Sequence, residues 1–281
     1  MTRAILINLR NFAYWVHALL LFAATSQKDF AVLTPPPLVW GDDIYVLRRQ
    51  VVFRKRDRRL FTVPVANTIE YYTFRNIFVS EYYGLGQLPR RGELESFYES
   101  ETGRGRSPLI VDCGSNVGFS LLYFSLRYPQ ARIIGIEPDR GNFAKAAALT
   151  REHATVHLIN AGVASQEGSA TLIDTGKGND SFQVAVAEHG GVPLVSVDGI
   201  LAQQDDSVVP FLIKIDIEGF EQNLFEKNVG WIDRFPMLVI ELHDWLFPRQ
   251  ARSHSFLTAI ADRKRDFMHF GENFFSIKPQ F

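Results

Sequence analysis

From Ser107 onward the sequence alternates short, unbroken apolar runs with helix-forming stretches, and this alternation constrains the fold more than any other feature. "PLIVDC" (108–113), "ARIIGIE" (131–137), "VHLIN" (156–160), "FLIKID" (211–216) and "MLVIEL" (237–242) are each about one strand long. Their apolar residues are continuous rather than alternating, the pattern of strands buried on both faces of a largely parallel sheet. Residues 117–128, closed by Pro129, and "NFAKAAALTREH" (142–153), rich in strong helix formers, supply the crossovers. The tail "DFMHFGENFFSIK" (266–278) reads instead as two strands joined by "GEN", an antiparallel hairpin at one edge. An α/β domain with a doubly wound sheet is therefore expected over 107–281.

Two segments precede it, 1–40 and 41–106. Ile5, Leu9, Phe12, Val16, Leu19 and Ala23 recur at helical spacing, so an amphipathic helix over 1–26 is expected to dock on the body or on a second copy of the chain. Its apolar core "FAYWVHALLLFAA" (12–24) is short for a bilayer span and holds His17, so membrane contact is not expected. Three prolines in "TPPPL" (34–38) end that element. "IYVLRRQVVF" (44–53) and "RLFTVPVA" (59–66) then read as a hairpin, followed by an aromatic helix from Thr68 to about Gly84.

Charge and cysteine content exclude several classes. Net charge is −1, which provides no global attraction to nucleic acid or an anionic membrane. The cluster Arg48, Arg49, Arg54, Lys55, Arg56, Arg58 and Arg59 lacks interleaved stacking residues and reads as a solvated turn, so no nucleic-acid partner is expected. The single cysteine, Cys113, excludes an internal disulfide or a multi-cysteine metal site and suits a reducing cytoplasm.

The chemistry concentrates at strand ends, where doubly wound sheets bind ligands. In "VDCGSNVGF" (111–119) Asn116 stands where a dinucleotide loop needs glycine, and Asp112 would repel a pyrophosphate. A ligand with an ammonium group, such as S-adenosylmethionine, would be attracted by Asp112. Glu137, ending the next strand in "IGIEPD", is placed to accept hydrogen bonds from ribose hydroxyls. Asn160 ends the third strand, where it could meet an adenine edge or serve as an ordinary turn residue. "GKGNDSF" (176–182) reads as a flexible loop that could close over such a site, and Asp198 as a helix cap.

The segments "VDCGSNVGFS", "IGIEPD", "LINAGVAS", "VSVDGIL", "IKIDIEGFE" and "VIELHDW", in this order, resemble FkbM-type S-adenosylmethionine-dependent methyltransferases. The resemblance covers 107 to about 278. It implies a Rossmann-like class I methyltransferase fold of seven strands, O-methylation of a small-molecule or glycan acceptor, and a cofactor lined by Asp112, Gly114, Asn116, Gly118 and Glu137. Ser115, Pro138, Asn160 and Ala161 complete the candidate cofactor set.

Candidate catalytic residues lie at the ends of the fourth and fifth strands: Asp216 and Glu218 in "IKIDIEGFE", and His243 in "VIELHDW". A histidine titrating near neutrality suits proton removal from a hydroxyl acceptor. Glu221 reads as a helix-start acid favoured by the dipole. These acids, Glu241 and His243 could alternatively hold a divalent metal, which is not the expectation. The rival functions are a nucleotide-dependent oxidoreductase and a cofactor-binding partner protein without turnover.

Overall fold

The structure is a computed structural model and describes residues 30–32, 38–40, 43–45, 49–54, 56–174, 182–186 and 191–281. The expected helix over 1–26, the prolines at 35–37 and the loop 176–181 lie outside the described residues. The chain divides into two compact units, Met1–Gly86 and Gln87–Phe281. No described helix is long and apolar enough to cross a membrane.

In the first unit, Arg49–Arg54 and Arg59–Pro64 pair antiparallel as the expected hairpin, and Phe30–Val32 adds a third strand. Asp57 in the turn takes two hydrogen bonds from Arg54, at 2.9 and 2.5 Å, so the basic cluster is partly neutralised from within. The aromatic helix spans Thr68–Phe78 and is capped by Asn67, whose side chain accepts from the Glu70 amide at 2.9 Å. It ends earlier than expected because Glu81 takes a left-handed conformation (φ 54°), which a continuing helix cannot accommodate.

The second unit is built on a seven-stranded sheet, numbered here in chain order: β1 Ser107–Cys113, β2 Arg132–Ile136, β3 Val156–Ile159, β4 Val208–Ile215, β5 Met237–Glu241, β6 Asp266–Phe270 and β7 Asn273–Ile277. The spatial order is β6-β7-β5-β4-β1-β2-β3. β5, β4, β1, β2 and β3 are parallel, while β7 runs antiparallel to both β5 and β6. This is the doubly wound, seven-stranded sheet with an antiparallel edge hairpin that the resemblance implies. The chain turns outward from β1 in one direction and returns to β4 on the other side, so the topological switch lies between these two strands.

Helices α1 Arg91–Gly103, α2 Phe119–Arg127, α3 Arg140–Thr150, α4 Val197–Ala202, the single turn α5 Glu221–Leu224 and α6 His254–Ala261 connect and cover it. Eight of the nine residues of α2 are buried, leaving only Arg127 outside the core, so this helix is enclosed nearly all round. On the other side Ile213, Ile215, Leu238 and Ile240 pack with Trp231, Phe225 and Phe256 in one cluster. Each such fully buried side chain contributes roughly 1.5–3 kcal/mol relative to exposure.

Two expectations change. Between β3 and β4 the chain forms a second, unexpected sheet from Gly162–Ala164, Gly168–Asp174, Phe182–Val186 and Val192–Ser196. The cap of α4 is Ser196, accepting from the Gly199 amide at 3.0 Å, and Asp198 sits exposed in the first turn.

Glycine 114 is dictated by packing. It has φ 82°, and a Cβ there would lie 1.8 Å from the Asp216 carbonyl oxygen, because the backbones following β1 and β4 touch at this point. Gly103, at the exposed end of α1, has open space around its Cα. Gly114→Ala is expected to cost about 2–5 kcal/mol in urea unfolding, whereas Gly103→Ala stabilises by about 0.4–1 kcal/mol. Equal stability of Gly114→Ala and the parent chain would contradict the packing described.

Candidate active site

Parallel pairing of β1 with β4 places Asp112 opposite Lys214, each one residue before the C-terminal end of an apolar strand. Both side chains are buried, and Lys214 Nζ lies 3.1 Å from Asp112 Oδ1. Lys214 Nζ also donates to the Gly114 carbonyl at 2.7 Å and lies 3.4 Å from Asp216 Oδ2. The Ser120 hydroxyl donates to Asp112 Oδ2 at 2.5 Å. Burial pushes the Asp112 pKa up, and Lys214 and Ser120 oppose that push. Asp112 thus lies beneath the loop and does not line the cleft. The residue has no exposed surface; Oδ2 accepts from Ser120, and Oδ1 faces Lys214 Nζ.

Above this pair the loop 114–118 folds against β2. The amides of Gly114 and Ser115 both donate to the Ile136 carbonyl, at 3.0 Å each. Asn116 is left-handed (φ 48°), and its amide donates to Glu137 Oε2 at 2.8 Å, while Glu137 Oε1 accepts from the Asp139 amide at 2.9 Å. Burial raises the Glu137 pKa to about 7, against the two backbone hydrogen bonds.

A cleft of about 570 Å³, counted with its open mouth, lies at these strand ends, within the size range of small-molecule sites. Of the expected residues, Gly114, Asn116, Glu137, Pro138, Ala161, Asp216 and Glu218 line it. Ser115 is buried, and its hydroxyl has no hydrogen-bond partner among the described residues. Gly118 instead allows close helix packing, since a Cβ there would lie 2.8 Å from the Ala146 Cα. Asn160 is a bracket: its Nδ2 donates to the carbonyls of Glu137 at 2.8 Å and Pro138 at 3.1 Å. The sequence reading missed Asn142, Ile217 and Phe220, which also line the cleft. Phe220 and Ile217 were legible only as apolar neighbours of the acids, and Asn142 only as a first-turn helix residue.

The second wall is charged. Ile215 of β4 pairs with Ile240 of β5, so Asp216 and Glu241 leave the sheet side by side. His243 returns beneath them with 2% exposure; its Nε2 lies 3.5 Å from Glu241, 3.6 Å from Asp216 and 3.8 Å from Glu218. Its Nδ1 is 2.8 Å from Glu221 Oε1. Glu221 is 1% exposed, so its role is to hold His243 and not merely to complement a helix dipole in solvent.

Burial opposes charge on His243, but the hydrogen bond and charge of Glu221, with Asp216 and Glu218, raise its pKa to about 10. These neighbours favour the charged imidazole, the direction opposite to that of a base titrating near neutrality. Burial, then the charge of Asp216, pushes Glu241 up to about 8. Donor atoms of Asp216, Glu241 and His243 all lie within 4.8 Å of one another.

His243 titrates at 6.5 in its ordinary state and about 10 in the fold, so the stability it contributes is full below about pH 6.5 and is lost as pH rises towards 10. Thermal unfolding between pH 6.5 and 10 should show that decline, and Glu221→Gln should lower stability at pH 7 and flatten the curve. Parallel curves for the variant and parent would contradict the assignment.

A family model described as the methyltransferase FkbM domain matches residues 112–267. The methyltransferase SdnD of Sordaria araneosa is 26% identical over 117 residues, 41% of this chain; the match spans 39% of that relative's length. Among solved structures, the bifunctional kinase-methyltransferase WbdD aligns at 15% identity and TM-score 0.36, over 68% of this chain and 39% of its own. The METTL16 methyltransferase domain aligns at 9% identity and TM-score 0.37, covering 68% and 67%.

Proposed function

The chain belongs to the methyltransferase FkbM domain family, and from that premise we propose that it is an S-adenosylmethionine-dependent methyltransferase acting on a hydroxyl group of a small molecule or sugar. The observation that carries this reading is Glu137, a carboxylate on the cleft wall at the end of β2, beside the glycine-bounded loop at the end of β1.

The residues present fit the cofactor. Each Glu137 oxygen is fixed by one backbone N–H and keeps acceptor capacity for a ribose hydroxyl. Asn116 lines the cleft, and its side-chain oxygen is buried without a hydrogen-bond partner among the described residues, so it is an acceptor that a ligand ammonium can satisfy. When bound, S-adenosylmethionine supplies a sulfonium-activated methyl group. Ile217 and Phe220 give the cleft an apolar side that excludes water from the reacting centre.

Positioning supplies most of the acceleration in a direct displacement. Asp216 and Glu218 line the cleft, where either carboxylate can orient an acceptor hydroxyl and take its proton as the new C–O bond forms. His243 acts as a positioning residue, an imidazolium that keeps these carboxylates in place from below.

Glu137→Ala should weaken S-adenosylhomocysteine binding by roughly 1–3 kcal/mol, about tenfold or more, in calorimetry. Because ribose hydroxyls donate best to the ionised carboxylate, parent-chain affinity should rise as pH increases to about 7 and level off above it. Glu137→Gln should remove that slope. Unchanged affinity in the alanine variant, with no pH slope in the parent, would remove the support for this reading.

A further inference from the structure

At the ends of β4 and β5, Asp216, Glu218, Glu221 and Glu241 all lie within 4 Å of one imidazole, His243. The side chain of His243 is 1% exposed, and Nδ1, 2.8 Å from Glu221, is fixed in orientation by that carboxylate. Nε2 is then aimed into the remaining acids and reaches none of them at ordinary hydrogen-bond length, the separations being 3.5, 3.6 and 3.8 Å.

Those separations have another meaning. Two ligands bound at 2.0–2.2 Å to one cation stand about 3.0–3.6 Å apart at angles near 90–120°. A histidine whose second nitrogen is held by a carboxylate is also the usual way a metal-binding imidazole is oriented. Register explains why the set converges: Ile215 pairs with Ile240, so Asp216 and Glu241 follow directly from adjacent parallel strands, and His243 comes two residues later.

We propose that Asp216, Glu241 and His243 form a binding site for a divalent first-row cation of the Mn²⁺ type, with Glu218 at its open side and Glu221 orienting the histidine. One imidazole with two or three carboxylates is a donor set between the all-oxygen sites of Mg²⁺ or Ca²⁺ and the nitrogen- and sulfur-rich sites of Zn²⁺. Asp216 and Glu218 also line the cleft, so the ion would face the acceptor hydroxyl; that placement rests on the methyltransferase reading, whereas the site itself does not.

The test uses the full chain, freed of metal by chelator and titrated with Mn²⁺ while free ion is followed by electron paramagnetic resonance. One ion per chain is expected, with nitrogen modulation from an imidazole in the pulsed spectrum of the unmodified protein. Asp216→Asn and Glu241→Gln should each weaken binding tenfold or more, while Glu152→Gln, at an exposed helix end, should not. S-Adenosylhomocysteine binding is measured in parallel. Mn²⁺ binding without cofactor binding would sink the methyltransferase reading and leave the metal site standing. No Mn²⁺ binding, no nitrogen coupling, or affinity unchanged in both variants would overturn the metal site.

Discussion

The buried pair between Asp112 and Lys214 is the constraint on which the site geometry rests. It joins the two strands on either side of the topological switch at the residue before each turns into a loop. An isolated charge in such a place would cost several kcal/mol, and even a pair gains little net stability. Its value is specific placement. Lys214 reaches past Asp112 to the Gly114 carbonyl, so the first loop is held from below while the Ile136 carbonyl and the Glu137 carboxylate hold it from the side. Glycine at 114 then follows from geometry, since the Asp216 carbonyl occupies the space a side chain would need.

From that anchor two walls with opposite electrostatics are built. One is made of backbone donors and a single carboxylate, Glu137, whose burial raises its pKa to about 7. The other gathers acids around a histidine whose pKa Glu221, Asp216 and Glu218 raise against its own burial. A neutral nucleoside face suits the first wall, and an acceptor hydroxyl or a cation suits the second. The separation arises from topology: β2 and β5 lie on opposite sides of the β4–β1 pair.

Much of this was legible in the sequence, for identifiable reasons. The five parallel strands announced themselves because burial on both faces demands continuous apolar runs, and the hairpin at the edge because "GEN" interrupts one. Glu137 and Asp216 were legible because strand ends in such sheets are where ligand groups sit. The pairing of Asp112 was not legible because its partner lies 102 residues later, inside "FLIKID", and that lysine was taken only as part of a strand. A lysine within an otherwise apolar strand was the available signal, since buried lysine requires a counter-charge. His243 carried no sequence mark of its raised pKa, because Glu221 approaches it only through tertiary packing. The second sheet was missed because its strands alternate apolar and polar residues, unlike the continuous apolar runs that marked the main sheet.

The central claim is that the cleft at the ends of β1, β2 and β4 is shaped for a nucleoside sulfonium ligand and not for a dinucleotide. Calorimetric titration of the unmodified full chain with S-adenosylhomocysteine and, separately, with NAD tests it most directly. The account predicts one S-adenosylhomocysteine bound per chain and no heat with NAD. Saturable NAD binding with no response to S-adenosylhomocysteine would contradict it.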